Sequence, residues 1–188
     1  MNKDVYFAAS KEMSLESIKD DGYVLDIGGG GEGIIGQLEG RRVVAIDIRR
    51  EELEEANVGD FLRVVMDATN LQFLDNTFPV VTAFFSMMYM DDDTKEKVFK
   101  EIYRVLIPGG KLLFWDLTVP KQFDASKSVY AIHLKINLPH KTVETGYGCP
   151  WAKRFQEPST FKKLAADIGF ELVEEKISEH TFSLKWRK

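Results

Sequence analysis

Apolar residues in this chain fall in short dense runs separated by charged stretches, and the period within each run predicts its element. Residues 23–27, 42–48, 61–66, 79–85 and 111–117 are such runs, rich in Val, Ile, Leu and Phe. They lack strict alternation, as strands do when a parallel sheet is covered on both faces. Helical patterns lie between them. Residues 33–39 form a short one and residues 49–56 a charged one in which Leu53 and Ala56 can face inward. A longer helix carries Val98, Phe99, Ile102, Val105 and Leu106 on one face. Asp93-Thr94-Lys95-Glu96 reads as its start, with an acceptor at the cap and Glu three later, and Pro108-Gly109-Gly110 reads as its stop. Pro158-Ser159-Thr160 opens a last helix with Phe161, Leu164, Ala165 and Ile168 on one face and Gly169 at its end. Residues 170–177 and 181–186 close the chain as strands. In the second, Phe182, Leu184 and Trp186 alternate with polar residues, as in an antiparallel strand. Residues 5–20, with Val5, Tyr6, Phe7, Met13, Leu15 and Ile18, read as helix. Residues 118–158, holding Pro120, Pro139, Pro150 and Pro158, read as the least regular part.

This β-α alternation with a terminal antiparallel pair predicts an α/β fold. It is a doubly wound, mostly parallel sheet of about seven strands with an antiparallel last strand, one domain over 1–188, and a ligand is expected at the carboxyl ends of the strands. A length of 188 residues, 44% hydrophobic and 29% charged, fits one soluble globular domain. The net charge of −5 disfavours a nucleic-acid partner. The single cysteine, Cys149, rules out an intrachain disulfide and a multi-cysteine metal site, so no metal is expected. The first residues, 1–4, lack the apolar core of a signal peptide, and the longest nearly uncharged apolar run, 80–90, is too short to cross a bilayer. The expected location is cytoplasmic with no membrane partner. Oligomeric state is not legible.

The candidate chemistry centres on Val24-Leu25-Asp26-Ile27-Gly28-Gly29-Gly30-Gly31-Glu32-Gly33. Here a strand runs into an acid, then into glycines, then into a helix start. Glycines at such a turn allow positive φ and close approach of a ligand, and a helix start presents free N–H groups. Asp26, Asp47, Asp67 and Phe85 all fall at the carboxyl ends of predicted strands. Strand-end acids on buried strands are costly unless partnered, and three in succession point to a shared ligand. Gly28, Gly30 and Gly33 match the spacing of a dinucleotide fingerprint, with Asp47 at the distance of a ribose partner. Asp26, however, would place negative charge near a pyrophosphate. It suits a ligand carrying an ammonium group and a sulfonium, as S-adenosyl-L-methionine does.

Nearly the whole sequence resembles the class I S-adenosylmethionine-dependent methyltransferases. Val24-Leu25-Asp26-Ile27-Gly28-Gly29-Gly30 resembles the family's first motif. Glu101-Ile102-Tyr103-Arg104-Val105-Leu106-Ile107-Pro108-Gly109-Gly110-Lys111-Leu112-Leu113 resembles its helix-turn before strand five, and residues 159–175 resemble the helix and strand that precede its reversed final strand. The resemblance implies that Asp47 holds the ribose hydroxyls, that Ile48 lies against the adenine, and that Asp67 and Ala68 meet the adenine amino group and a ring nitrogen. Glu32 stands where the family's third glycine usually falls, with Gly33 one later. Pro79 stands where an acid often follows the aromatic. Phe85-Ser86-Met87-Met88-Tyr89 lacks the Asn-Pro-Pro-Tyr motif of amino-methylating nucleic-acid and glutamine enzymes. The expected cofactor-site residues are therefore Asp26, Gly28, Gly29, Gly30, Asp47, Ile48, Asp67, Ala68 and Phe85.

Methyl transfer from a sulfonium needs alignment more than a base, and no catalytic base is assigned. The expected acceptor is a small molecule. Residues 118–158 read as a substrate-side insertion holding His133, His140, Tyr147, Cys149, Trp151 and Arg154. For the histidines a surface or hydrogen-bonded place is favoured, and for Cys149 a buried, idle one. For Trp151 and Tyr147 core or lid packing is favoured, and for Arg154 a solvated place. Met87, Met88, Tyr89 and Met90 suit pocket border and core equally. The competing functions are a nicotinamide-dependent oxidoreductase and a non-catalytic cofactor-binding regulator.

Overall fold

The computed structural model describes residues 4–56 and 59–188, apart from the side chain of Lys153; the reading of residues 1–3 lies outside them. Val5–Phe7 (β1) and Lys11–Ser14 (β2) come first, then Val24–Ile27 (β3), Ile34–Glu39 (α1), Val43–Asp47 (β4), Arg50–Glu55 (α2) and Leu62–Val65 (β5). Phe78–Phe84 (β6), Asp92–Val105 (α3), Leu106–Leu117 (β7), Val129–Leu138 (β8) and Lys141–Pro150 (β9) follow. The chain closes with Pro158–Ile168 (α4), Glu171–Ile177 (β10) and Thr181–Arg187 (β11).

Seven strands form the main sheet in the order β10-β11-β7-β6-β3-β4-β5. β3, β4, β5, β6 and β7 run parallel, and β11 is antiparallel to both β7 and β10. This is the doubly wound sheet expected, including its reversed last strand. The order reverses at β3, whose neighbours are β4 on one side and β6 on the other. A crevice opens there at the carboxyl ends of the strands.

Every residue of β3 is buried, and Leu25, Ile27, Val80, Val81 and Ala83 have no exposure. Burying one such aliphatic side chain contributes about 1.5–3 kcal/mol. On one face α3 and α4 cover the sheet through an aromatic cluster. Phe114 meets Phe161 at 4.7 Å between ring centroids, Trp186 at 5.7 Å, Phe182 at 5.8 Å and Phe99 at 5.9 Å. α4 begins with Pro158 in its first turn and ends at Gly169, whose φ of 114° lets its N–H reach Ala165 and Ala166.

Three expectations are corrected. Residues 5–20 are not helix: β1 and β2 pair end to end, in parallel, with one edge of β8. A helix there would need one continuous apolar stripe, whereas the edge of β8 supplies backbone partners to both short segments. Within residues 118–158, the stretch 129–150 is not irregular. β8 and β9 form a long antiparallel hairpin that, with β1 and β2, makes a second, four-stranded sheet. Its sequence signal is the alternation of buried Tyr130, Ile132, Leu134, Ile136 and Leu138 with exposed His133 and Lys135. The third concerns the ends of α3. Its cap is Asp91, whose carboxylate accepts the Thr94 N–H at 2.9 Å, not Asp93. Asp92 and Asp93 sit in the first turn, where the helix dipole favours acids. The helix passes into β7 at Leu106, so Pro108-Gly109-Gly110 lies inside the strand, where the β6–β7 register shifts.

Candidate functional site

The glycine turn is shaped first by its own protein. Gly28 has φ +70°, and a Cβ there would lie 2.5 Å from the Cβ of Ser86. A Cβ on Gly30 would lie 2.5 Å from the Cβ of Glu52 and 3.0 Å from Asp47 Oδ2. The turn is thereby pressed between β6 and α2, with the Gly29 N–H bonded to Ile46 O at 2.9 Å and the Gly31 N–H to Glu52 O at 2.9 Å. A cavity of about 660 Å³ opens above it, within the size range of small-molecule sites.

Asp26, Gly28, Gly29, Gly30, Asp47, Ile48, Asp67, Ala68 and Phe85 all line this one cavity. Asp26 closes its floor at 2% exposure, and its Oδ1 accepts the Thr82 hydroxyl at 2.7 Å. Burial pushes its carboxyl up to about 7, against the pull of that hydrogen bond, and the neighbouring Asp47 charge adds to the rise. Asp47 ends β4. Its Oδ1 takes the Arg49 N–H at 2.8 Å, which leaves Oδ2 beside Gly30. Asp67 Oδ1 accepts both the N–H and the hydroxyl of Thr69 at 2.8 Å. Ile48, next in the chain after Asp47, lines the same cavity and stands 67% exposed, an apolar face left to water by the protein alone.

Phe85 follows β6 with φ +51°, a costly conformation for a bulky residue. Its N–H is held by Trp115 O at 2.8 Å, and its ring stacks on Tyr147 at 4.9 Å. Tyr147 comes from β9, so the hairpin supplies part of the cavity wall. The hairpin is tied down by Glu32, which accepts the Thr145 hydroxyl and, at 3.3 Å, the Tyr147 hydroxyl. Burial, with the Glu32 charge adding to it, raises the Tyr147 phenol well above its ordinary value. In the sequence Glu32 stands out only as a departure from a glycine; nothing there pairs it with residues 145 and 147. Glu52, Ser86 and Gly146 also line the cavity and carry no motif.

The remaining candidates divide. Tyr89 and Met90 border the cavity, whereas Met87 and Met88 are fully buried. Trp151 is core, donating to Pro120 O at 2.8 Å. Cys149 is buried, and desolvation pushes its thiol up to about 12. His133 stacks on Phe7 at the surface and His140 is exposed in the hairpin turn. Arg154 is half-buried and lies outside the cavity lining. Among the described residues no group of His, Cys, Asp and Glu is placed to hold a metal ion, and no helix is long and apolar enough to cross a membrane.

A parallel sheet that reverses at its first core strand, closes with an antiparallel strand and opens a crevice over a glycine turn is the Rossmann-like methyltransferase fold. Residues 25–114 match the family model described as a methyltransferase domain. The chain is 31% identical over 170 residues to a ubiquinone/menaquinone biosynthesis C-methyltransferase, UbiE, of Klebsiella pneumoniae, covering 80% of this chain and 67% of that protein. A solved S-adenosylmethionine-dependent methyltransferase of Methanosarcina mazei superposes with a TM-score of 0.64 at 18% identity, over 91% of this chain and 94% of that one. The [4+2]-cyclase SpnF shares the fold too, with a TM-score of 0.65 at 15% identity over 92% and 77% of the chains. The chain belongs to the class I S-adenosylmethionine-dependent methyltransferase family.

Proposed function

We propose that this protein moves the methyl group of S-adenosylmethionine to a small organic acceptor, and that the cavity over the glycine turn is where it does so. The observation that carries this reading is the convergence of Asp26, Asp47 and Asp67 with the exposed face of Ile48 on one cavity. An apolar side chain bared in a cavity that two strand-end acids also line suits a flat base with polar groups at its edge. In this reading Asp47 Oδ2 takes the ribose hydroxyls, Ile48 covers a face of the adenine, and Asp67 with the Ala68 N–H meets its polar edge. Asp26 and the backbone of Gly28, Gly29 and Gly30 face the amino-acid end, and Phe85 closes the side toward the hairpin. The bound cofactor supplies a methyl carbon already activated by a sulfonium. The chain's own part is to orient the two reactants and to exclude water with the Phe85–Tyr147 wall, effects that reach roughly 7–11 kcal/mol in well-aligned cases. Residues 118–158 serve as the substrate-side wall. No side chain is assigned as a base.

A nicotinamide dinucleotide fits the same glycines less well, because the buried Asp26 carboxyl would face its pyrophosphate. The test is thermal unfolding with S-adenosylhomocysteine and with NADH. The expected result is a rise in Tm with the first and none with the second, and loss of that rise in Asp47→Ala. A shift with NADH alone contradicts the reading. Tight S-adenosylhomocysteine binding with no methyl transfer to any of a broad acceptor panel favours a non-catalytic role.

A further inference from the structure

The cavity holds a polar group that neither the fold nor the proposed cofactor contacts use. Ser86 is 7% exposed and lines the cavity, yet its Oγ is buried with no hydrogen-bond partner. The hydroxyls of Thr69 and Tyr147, which also line the cavity, are both engaged, by Asp67 and Glu32. A buried hydroxyl without a partner is destabilising, and here the backbone goes out of its way to keep one. Phe85, at φ +51°, stands between the end of β6 and Ser86. Strain of this kind persists where the surroundings over-determine it, commonly at a ligand site.

The neighbours define what Ser86 would meet. Phe84, Phe85 and Tyr147 wall this side with mutual ring distances of 4.9 to 6.2 Å. The cavity's charge is one-sided. Asp26, Glu32, Asp47, Glu52, Glu55 and Asp67 line it, while the lining cation is Arg49, held by Glu52 at 2.6 Å. An anionic acceptor would meet this repulsion with only Arg49, already paired to Glu52, to offset it.

We propose that the Ser86 hydroxyl is the hydrogen-bonding point that seats the methyl acceptor, and that the acceptor is a flat, uncharged molecule presenting one oxygen or nitrogen to it. This rests on the methyltransferase reading above. It makes Ser86 an acceptor-binding residue, distinct from the residues given to the cofactor.

The experiment uses 1-naphthol and 1-naphthyl phosphate as probes, titrated by calorimetry into protein saturated with S-adenosylhomocysteine, in wild type and in Ser86→Ala. Wild type is expected to bind 1-naphthol at least tenfold more tightly than the phosphate. Ser86→Ala is expected to weaken 1-naphthol about tenfold, the loss of one hydrogen bond, and to leave S-adenosylhomocysteine affinity within twofold. Its ligand-free Tm is expected to equal or exceed that of wild type, because an unpartnered hydroxyl is removed. Equal binding of the two probes, no binding of 1-naphthol, or unchanged 1-naphthol affinity in Ser86→Ala overturns the proposal. So does a fall in the variant's Tm, which would mean a structural partner, or a comparable loss of S-adenosylhomocysteine affinity, which would assign the hydroxyl to the cofactor. Failure of wild type to bind S-adenosylhomocysteine would sink the methyltransferase reading itself, and this inference with it.

Discussion

Asp26 offers the sharpest quantitative consequence of the site's electrostatics. Its carboxyl is raised from an ordinary 3.8 to about 7 by burial beneath the glycine turn. A rise of this size corresponds to a cost on the order of 4 kcal/mol for holding the ionised form in the ligand-free site. A ligand ammonium group near Asp26 favours the ionised form, so binding must release the proton wherever Asp26 is still protonated. With a value of about 7, roughly a tenth of the sites are ionised at pH 6 and about nine-tenths at pH 8, so S-adenosylhomocysteine affinity should rise about tenfold across that interval. Calorimetry in buffers of different ionisation enthalpy gives both the affinity and the proton count. Asp26→Asn should bind weakly with a flat profile and release no proton. An equal slope in Asp26→Asn, or no slope in wild type, would refute the assignment of Asp26 to the amine.

The same shift has a stability consequence of definite sign. Asp26 and Asp116 are both buried and both raised to about 7. In the interval between the ordinary carboxyl range and 7 the folded state binds more protons than the unfolded one, so their contribution is full at low pH and is lost as pH rises through 7. Urea unfolding of the ligand-free protein from pH 5 to 8 should show falling stability; a rise would contradict the burial assigned to them. Asp47→Ala removes hydrogen bonds to a charged group and should weaken S-adenosylhomocysteine binding by about 1.5–3 kcal/mol, read by calorimetry. Phe114→Ala opens the aromatic cluster against Phe161, Trp186, Phe182 and Phe99. It should cost about 3–5 kcal/mol in urea unfolding, with cofactor affinity nearly unchanged in the folded fraction.

The sheet was legible because its strands are continuous apolar runs buried on both faces, and Val24, Leu25 and Ile27 can be nothing else beside a glycine turn. The acids at strand ends were legible for the same reason, since a charge closing a buried run stands out. What failed was non-local. Val5-Tyr6-Phe7 and Lys11-Glu12-Met13-Ser14 become strands only because β8, more than a hundred residues later, offers its edge. The hairpin carried a visible alternation from Tyr130 to Leu138, masked by the prolines around it. The pairing of Glu32 with Thr145 and Tyr147 depends on the hairpin folding back over the glycine turn. No local pattern encodes that return.

The most direct measurement is a crystal structure with S-adenosylhomocysteine bound. The account predicts its ribose on Asp47, its adenine against Ile48 with its polar edge at Asp67, and its amine toward Asp26. A ligand seated away from these carboxylates would contradict it.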